Sequence, residues 1–342
     1  MGTFNYSLED FQKAAITFRK DLLRLPLIGI NDTLQYMTPR PGVRYEELVG
    51  SSSVNAQLAP YQAGKRTEAN LNLVLRALKT YFGSVNADFE PNSAIQTLLG
   101  HHAAQAMGDA QKSTPTAREV LALIAKEISA HLNDAIWSGV RNAQGSTTAD
   151  LFDGFDTITS AEITAGNIAA AKGNYVKLTE AITASNAVDI IKNKILFQLD
   201  PLLRKEDLFL FCDYATADAY NEAYLLTHTG LVYNQNYKQV TVEGSNNKLT
   251  IVPLANKAGS KFIHVAPKRN MLVGFDQMSD AERVDVKEYG PDVLTFMMRM
   301  FFGVQFESID KRRLFVAEFA DPKPAGGSGS QGGTETDDAN NG

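Results

Sequence analysis

The segment between Thr114 and Gly139 carries the clearest helix signal in the chain, and its length limits the shapes that the fold can take. Thr116 and Glu119 form a capping box at its start, and Gly139 is a natural stop at its end. About 23 residues at ~1.5 Å each make a rod of roughly 35 Å. A rod of this length is expected to brace a flat or extended body. The apolar residues that share one face of it are Leu121, Ile124, Ile128, Leu132, Ala135 and Ile136.

Short strand patterns are concentrated in the C-terminal half of the chain. The apolar run DLFLFCDY (207–214) is typical of a buried strand, and the following ATADAYNEAYLL is typical of a helix. After these come QVTVEG, KLTIVPL, KFIHVAP and NMLVGFD, which are separated by Gly, Asn and Pro. Helices and strands in this order predict an α+β fold.

Residues 1–40 have the pattern of an arm. One apolar stripe at helical spacing runs along it, and Pro26, Pro39 and Pro41 are expected to break the helix. The stripe has little local sequence to pack against, so it covers either the body of the same chain or another subunit. Its residues are Leu8, Phe11, Ala15, Phe18 and Leu22.

Residues 42–90 have a different character. VRYEEL is strand-like, and the following SSSVNAQLAPYQAGKR carries few packing groups, as in a long exposed excursion. In ANLNLVLRALKTYF, Leu71, Leu73 and Leu75 alternate as in a strand, whereas Leu71, Val74, Leu75, Leu78 and Phe82 fit one helical face. Periodicity alone slightly favours the helix.

The charge distribution argues against tight nucleic-acid binding. The net charge is −6, and half of it comes from residues 321–342, so the body is nearly balanced. Those last residues are rich in Gly, Ser and acid, and they are expected to form a disordered tail. Cys212 is the single cysteine, which favours a reducing compartment.

No catalytic, metal-binding or cofactor-binding constellation emerges from the sequence. His101 and His102 are adjacent, so they do not share a face and are poor co-ligands. Cys212 lies in an apolar run and is expected to be an inert buried thiol, and His264 lies in a strand pattern that favours a structural role. We therefore predict no enzyme and no cofactor. An α+β enzyme with a dispersed active site stays open as an alternative.

The order of the motifs resembles the major capsid proteins of tailed bacteriophages, which have the Hong Kong 97-like fold. The resemblance covers roughly residues 1–320. It is carried by PGVRYEELVG, LVLRALKTYFGSVNADFEPNS, IWSGVRNAQGSTTADLFDGFDTI, PLLRKEDLFLFCDYATADAYNEAY and LTIVPLANKAGSKFIHVAPKRNMLVGFDQMSD. An encapsulin-like nanocompartment shell, which has the same fold but packs enzymes, is the alternative within this resemblance.

The resemblance implies a division of the chain into regions. Its regions are an N-arm (1–40), an extended-loop hairpin (41–85), a peripheral domain with the long helix (86–150), an axial domain (151–275), return strands of the peripheral domain (276–320) and the tail (321–342). In this division Leu71, Leu73 and Leu75 belong to a strand. The apolar residues of the arm and the hairpin are then expected to find their partners on other copies of the chain.

The resemblance also implies assembly residues and partners. The expected partners are copies of the chain in pentamers and hexamers, a separate scaffolding protein, a portal, decoration proteins and packaged double-stranded DNA held by weak contacts. Within APKRNMLVGFD (266–276), Gly274 would allow a backbone bend and Asp276 would cap the next turn, which makes this stretch a structural joint. The residues implied in assembly are Phe11, Phe18, Arg44, Tyr45, Lys65, Arg66, Asn270, Gly274 and Asp276.

Overall fold

The computed structural model describes residues 8–55, 70–90, 117–227, 240–276, 284–290 and 293–320. Several predictions lie outside these residues and stay predictions: the assembly residues Lys65 and Arg66, the pair His101 and His102, the cap residue Thr116, the turn that follows Asp276, and the tail 321–342.

The described ranges contain seven α-helices and twelve strands. In chain order the α-helices are α1 (Leu8–Thr17), α2 (Arg19–Gly29), α3 (Asn31–Leu34), α4 (Ala117–Ser138), α5 (Phe155–Thr164), α6 (Ala187–Ile190) and α7 (Tyr214–Thr227). Helix α6 continues as a π-helical turn (Ile191–Ile195) and a 3-10 turn (Leu196–Gln198). Further 3-10 turns are Thr148–Asp150, Ala170–Lys172, Leu203–Lys205, Ala255–Lys257 and Lys268–Asn270. The strands are β1 (Thr38–Pro41), β2 (Glu46–Asn55), β3 (Asn70–Lys79), β4 (Tyr81–Phe89), β5 (Tyr175–Lys177), β6 (Leu208–Cys212), β7 (Leu249–Pro253), β8 (Phe262–Ala266), β9 (Met271–Phe275), β10 (Val284–Gly290), β11 (Val293–Phe306) and β12 (Phe315–Glu318).

The strands form two five-stranded sheets and one separate two-stranded ribbon. In the first sheet the order is β1-β9-β11-β10, and β4 also pairs with β11. In the second sheet the order is β5-β12-β8-β6-β7, and the ribbon consists of β2 and β3. The α+β prediction is confirmed.

Helix α4 confirms the predicted long helix, with 22 residues. Its buried face packs on α2 along one part, and its C-terminal end enters a core cluster that draws residues from both sheets. Trp137 lies in that cluster against Phe155 and Phe211, with ring centroids 5.3 Å and 5.4 Å away. The helix therefore connects the two sheets through its C-terminal end.

The N-terminal region forms two helices where the sequence predicts one helix that ends at Pro26. The break falls between Thr17 and Arg19, and α2 continues through Pro26 to Gly29. At Gly29 the two helices α2 and α4 come very close, because a Cβ there would lie 2.1 Å from Oγ of Ser129. Packing on the long helix holds α2 in helical form despite the proline.

The expectation that the arm finds its apolar partners on other copies is wrong. Phe11, Ala15 and Leu22 are buried within their own chain, in a cluster with Val120 and Leu121 of α4 and with apolar residues of β10 and β11. Phe18 is half-buried against the same cluster. The strand-rich body supplies the surface that the local sequence lacks.

The preference for a helix in ANLNLVLRALKTYF is also wrong, and the strand implied by the resemblance is confirmed. Residues 70–79 form β3, which pairs antiparallel with β2 from Asn70↔Asn55 to Lys79↔Glu46. The pairing partner lies outside the window from which periodicity is judged. Long-range pairing therefore overrides the local helical pattern.

The predicted boundary between residues 275 and 276 does not separate the two sheets. Strand β9 precedes this boundary but lies in the first sheet, between β1 and β11. Strand β12 follows it but lies inside the second sheet, where it pairs antiparallel with β8 and parallel with β5. Strands this short give no sequence signal of the sheet to which they belong.

None of the helices within the described ranges is both long enough and apolar enough to span a membrane.

Candidate assembly surface

The β2–β3 ribbon is attached to the body at its base. Val49 and Leu78 come from the ribbon, and together with Val43 and Leu272 they form a small buried cluster. Leu78 is completely buried, and Thr80, which follows it by two residues, is almost completely buried. The hydroxyl of Thr80 donates a hydrogen bond to the carbonyl oxygen of Val43 (3.1 Å), which closes the base.

Two facing glycines make room for the base of the ribbon. Gly274 of β9 and Gly303 of β11 are paired residues in the first sheet. A Cβ on Gly303 would lie 2.1 Å from the carbonyl oxygen of Lys79, and a Cβ on Gly274 would lie 2.9 Å from Cγ2 of Thr80. Gly274 lies within β9, whose register with β11 is continuous, and it does not have a positive φ, so the predicted backbone bend is wrong. The glycine is needed there for close approach, not for a turn.

A polar contact fixes the ribbon to helix α5 and strand β11. Arg76 of β3 pairs with Glu162 of α5 (2.7 Å) and donates a second hydrogen bond to Gln305 (3.2 Å). Gln305 in turn donates to the carbonyl oxygen of Ala77 (3.1 Å). Burial alone would raise the pKa of Glu162, but hydrogen bonds from Asn167 and Arg76 and the charge of Arg76 outweigh it, so this pKa lies below its ordinary value.

Arg44 and Asp276, both predicted as assembly residues, contact each other. Nε of Arg44 lies 3.1 Å and 3.0 Å from the two carboxylate oxygens of Asp276. Asp276 is nearly buried, whereas the arginine side chain is half-exposed. The pair joins the segment that leads into the ribbon to the residue that follows β9.

Tyr45 is held outward by an unusual backbone conformation. Its φ is +73°, in the left-handed region that non-glycine residues rarely adopt. The ring packs edge-on against Phe301 (5.1 Å between centroids), and Phe82 packs against the same ring at 5.0 Å. Tyr45 and Phe82 nevertheless stay more than half exposed. They form an apolar patch beside the base of the ribbon.

The outward face of the ribbon is apolar and exposed. Side chains alternate along a strand, and the register pairs Leu48 with Ala77 and Leu75 with Gly50, which places Leu48 and Leu75 on one face. Val49 and Leu78 lie on the opposite face, which is seated on the body. Leu48 is 64% exposed and Leu75 is 52% exposed. No described part of the chain covers this face.

Asn270 has the structural role that its stretch predicts. It is fully buried, and its side chain donates to the carbonyl oxygen of Arg313 (3.2 Å) and accepts from the backbone N–H of Ser308 (2.9 Å). These bonds join the start of β9 to the segment between β11 and β12. Because Asn270 is buried within its own chain, it is not available for contact with another copy.

The burial of Lys257 could not be predicted from the sequence. Lys257 lies in LANKAGSK, which has the composition of a surface loop, yet its side chain is completely buried. Its Nζ lies 2.9 Å from Oδ1 of Asp156 and 3.1 Å from Nδ1 of His264. His264 is buried and hydrogen-bonded within the core, as its strand pattern predicts, because its Nε2 also lies 2.8 Å from the hydroxyl of Thr159.

The fold gathers no metal-ligand cluster from the part of the chain that the structure describes. In these ranges, no group of three or more His, Cys, Asp or Glu side chains is placed to hold a metal ion. Cys212 is buried, as predicted.

Comparison with known proteins gives similarity of structure but not of sequence. Neither a protein-family model nor a curated protein matches the chain. A chain of the satellite phage P4 procapsid that includes the size determination protein Sid is similar over 93% of this chain and 92% of that one, with a TM-score of 0.53 and 12% identity. A chain of the capsid of an empty GTA particle is similar over 85% and 90%, with a TM-score of 0.50 and 13% identity. The chain therefore has the α+β Hong Kong 97-like fold of phage capsid proteins.

Proposed function

We propose that this chain is a shell-forming capsid protein that assembles into the pentamers and hexamers of an icosahedral shell around double-stranded DNA. The observation that carries the proposal is the outward face of the ribbon. Leu48 and Leu75 are exposed there. The base of the same ribbon is bonded to the body through Arg76 and lies close against the two facing glycines. Such a face is stabilised once a neighbouring copy covers it.

The physical basis is repeated heterologous contact. A ribbon that leaves its own body binds a different surface on the next copy, and such contacts form closed rings when the rotation between copies allows closure. Each contact needs only on the order of 1,000 Å² of buried area, because the contacts multiply around a lattice. The patch of Tyr45 and Phe82 beside the ribbon base adds apolar area to the same side of the chain.

Each part of the fold corresponds to a part of a capsomer in this proposal. The second sheet with α6 and α7, to which β12 belongs, is the axial domain, whose tips meet around the capsomer axis. The first sheet and α4 form the peripheral domain, and the ribbon is the extended loop. The helices α1 and α2 are the N-arm, which in this chain packs on its own body.

The remaining partners follow from this role. A separate scaffolding protein, a portal and decoration proteins would contact the shell, which forms in the host cytoplasm and becomes the virion capsid. The nearly balanced charge of residues 1–320 suits a container whose wall binds DNA weakly and without sequence preference. We assign no enzymatic activity to the chain.

The test is to express the full chain and examine it by light scattering and negative-stain microscopy over a range of concentrations. We expect rings of five and six copies, or closed shells. A chain that stays a monomer at the highest concentration reached would count against the proposal. Nuclease-protected DNA inside shells would support a virus capsid, whereas shells that retain only proteins would indicate an encapsulin-like compartment.

A further inference from the structure

We propose that Lys257 and Asp156 form an intramolecular isopeptide bond, with His264 as the group that moves the proton. The three side chains meet in the core, between the first turn of α5, the 3-10 turn Ala255–Lys257 and strand β8. The inference rests on the buried geometry of this cluster and is independent of the proposed function.

Lys257 is enclosed on every side. Its Nζ contacts Oδ1 of Asp156 at 2.9 Å and Oγ of Ser260 at 3.0 Å, and it lies 4.0 Å from the centroid of the Trp137 ring. The side chain has no exposed surface. Burial of a full charge is costly even when it is paired, so a neutral product is favoured here more strongly than in water.

His264 is placed to accept the proton of the ammonium group. It is fully buried, and burial together with the charge of Lys257 holds its pKa well below the ordinary value, so the imidazole is neutral. Its Nε2–H donates to the hydroxyl of Thr159 at 2.8 Å, which leaves the lone pair of Nδ1 directed at Nζ of Lys257, 3.1 Å away. The same Nδ1 lies 3.8 Å from Oδ1 of Asp156.

The step balances without any added reagent. Nζ of Lys257 gives one proton to Nδ1 of His264, and the free amine attacks Cγ of Asp156. One C–N bond forms and one C–O bond breaks. The departing oxygen takes one proton from the attacking nitrogen and one from the imidazolium, and it leaves as water. The ammonium and the carboxylate become one neutral amide, and His264 returns to its neutral form.

The surroundings favour condensation over hydrolysis. Well-oriented groups reach effective concentrations on the order of 10⁵ M or more, far above the roughly 55 M of liquid water that opposes the reaction. The Asp156 side chain is 15% exposed and lines a surface cavity of about 900 Å³, which gives the departing water an exit. The Lys257 end of the pair has no solvent-exposed surface.

The chain contains a matched control pair. Lys192 and Glu243 are also in contact at 2.9 Å, but each side chain is about 30% exposed. Both side chains there stay in contact with solvent. We expect no bond between them, so distance alone does not account for the reaction.

The test is mass spectrometry of the purified full chain under denaturing conditions, which separate ion pairs but leave amides intact. We expect a mass about 18 Da below that of the sequence. After trypsin digestion, peptide 142–172 should be joined to peptide 249–261, with Lys257 uncut, while Lys192 is cut normally. A full intact mass, or separate peptides with cleavage at Lys257, would overturn the proposal.

A lysine variant excludes other losses of water. Asp153 precedes Gly154, and cyclisation at such a site also removes one water, but it leaves Lys257 open to trypsin. The variant Lys257→Met is expected to show its full mass. If it still loses water, the loss occurs elsewhere in the chain, and the bond between Lys257 and Asp156 is not its source.

Discussion

Arg44 and Asp276 are 232 residues apart in sequence, yet Nε of Arg44 lies within 3.1 Å of both carboxylate oxygens of Asp276. The aspartate side chain is only 3% exposed, whereas the arginine side chain is 49% exposed. The sequence resemblance implies that both residues contact other copies of the chain. Within the single copy they join the entry of the ribbon to the end of β9. Their contact with other copies stays a prediction.

The Arg44→Ala variant should lower the free energy of unfolding by about 1–3 kcal/mol, because a nearly buried carboxylate loses this charged partner. Lys248→Ala is the control: it removes a contact of 2.6 Å to Asp207, but that aspartate is 80% exposed. A loss below about 1 kcal/mol is expected there. Urea unfolding measures both. Equal losses in the two variants would mean that the burial of Asp276 does not matter.

Gly303→Ala should destabilise the chain more than Gly274→Ala. At Gly303 the added Cβ would lie 2.1 Å from a backbone carbonyl oxygen, which cannot move without displacing the ribbon. At Gly274 the atoms it meets belong to the side chains of Thr80 and Leu78. We expect a loss of about 2 kcal/mol or more for Gly303→Ala, as in an overpacked core, and a smaller loss for Gly274→Ala. Urea unfolding gives the order, and the reverse order would contradict the close approach at β11.

His264 should make the stability of the fold fall as the pH drops below about 6.5. Burial, the larger cause, depresses the pKa of His264 in the folded state below the ordinary value of 6.5, and the charge of Lys257 adds to this shift as long as that side chain is not bonded to Asp156. Below pH 6.5 the unfolded chain therefore binds a proton that the folded chain does not bind. The contribution is complete above pH 6.5 and is lost as the pH falls toward the folded pKa. The slope has an upper limit of about 1.4 kcal/mol per pH unit.

Urea unfolding at pH 7.5, 6.5 and 5.5 measures this slope. His264→Gln should reduce it. The control is His131→Gln, which changes a largely exposed histidine of α4 and should leave the slope in place. Glu162 also has a depressed pKa, but its ordinary value of 4.5 places its effect at lower pH. A wild-type chain equally stable at all three pH values would contradict the assignment.

Local periodicity predicts the elements that are stable by their own pattern. The long helix, the strand with Cys212 and the helix after it match α4, β6 and α7. In each case one apolar face is complete within one segment of sequence.

Contacts between distant segments cannot be predicted in this way. The ribbon strand β3 has a helical pattern and becomes a strand only because β2 lies beside it. The burial of Phe11 within its own chain could not be predicted locally. The strands that cover it, β10 and β11, lie more than 270 residues further along the chain. Lys257 lies in a segment whose composition is typical of a surface loop. Its burial depends on Trp137 and Asp156, which come from other elements.

The outward face of the ribbon gives the last prediction, which rests on the proposed function. Leu75→Asp places a charge on a face that is exposed in the single copy and would be covered in a shell. Its free energy of unfolding should stay within about 0.5 kcal/mol of the wild-type value, because the side chain lies outside the core. Assembly should be lost, because an unpaired carboxylate would be buried at every contact.

Two control variants separate assembly from stability. Leu75→Met keeps the apolar area and should still assemble. Leu78→Ala empties the ribbon base and should cost about 2–5 kcal/mol of stability. Light scattering and microscopy measure assembly, and urea unfolding measures stability. Shells formed by Leu75→Asp as readily as by the wild-type chain would show that this face is not the one that neighbouring copies cover.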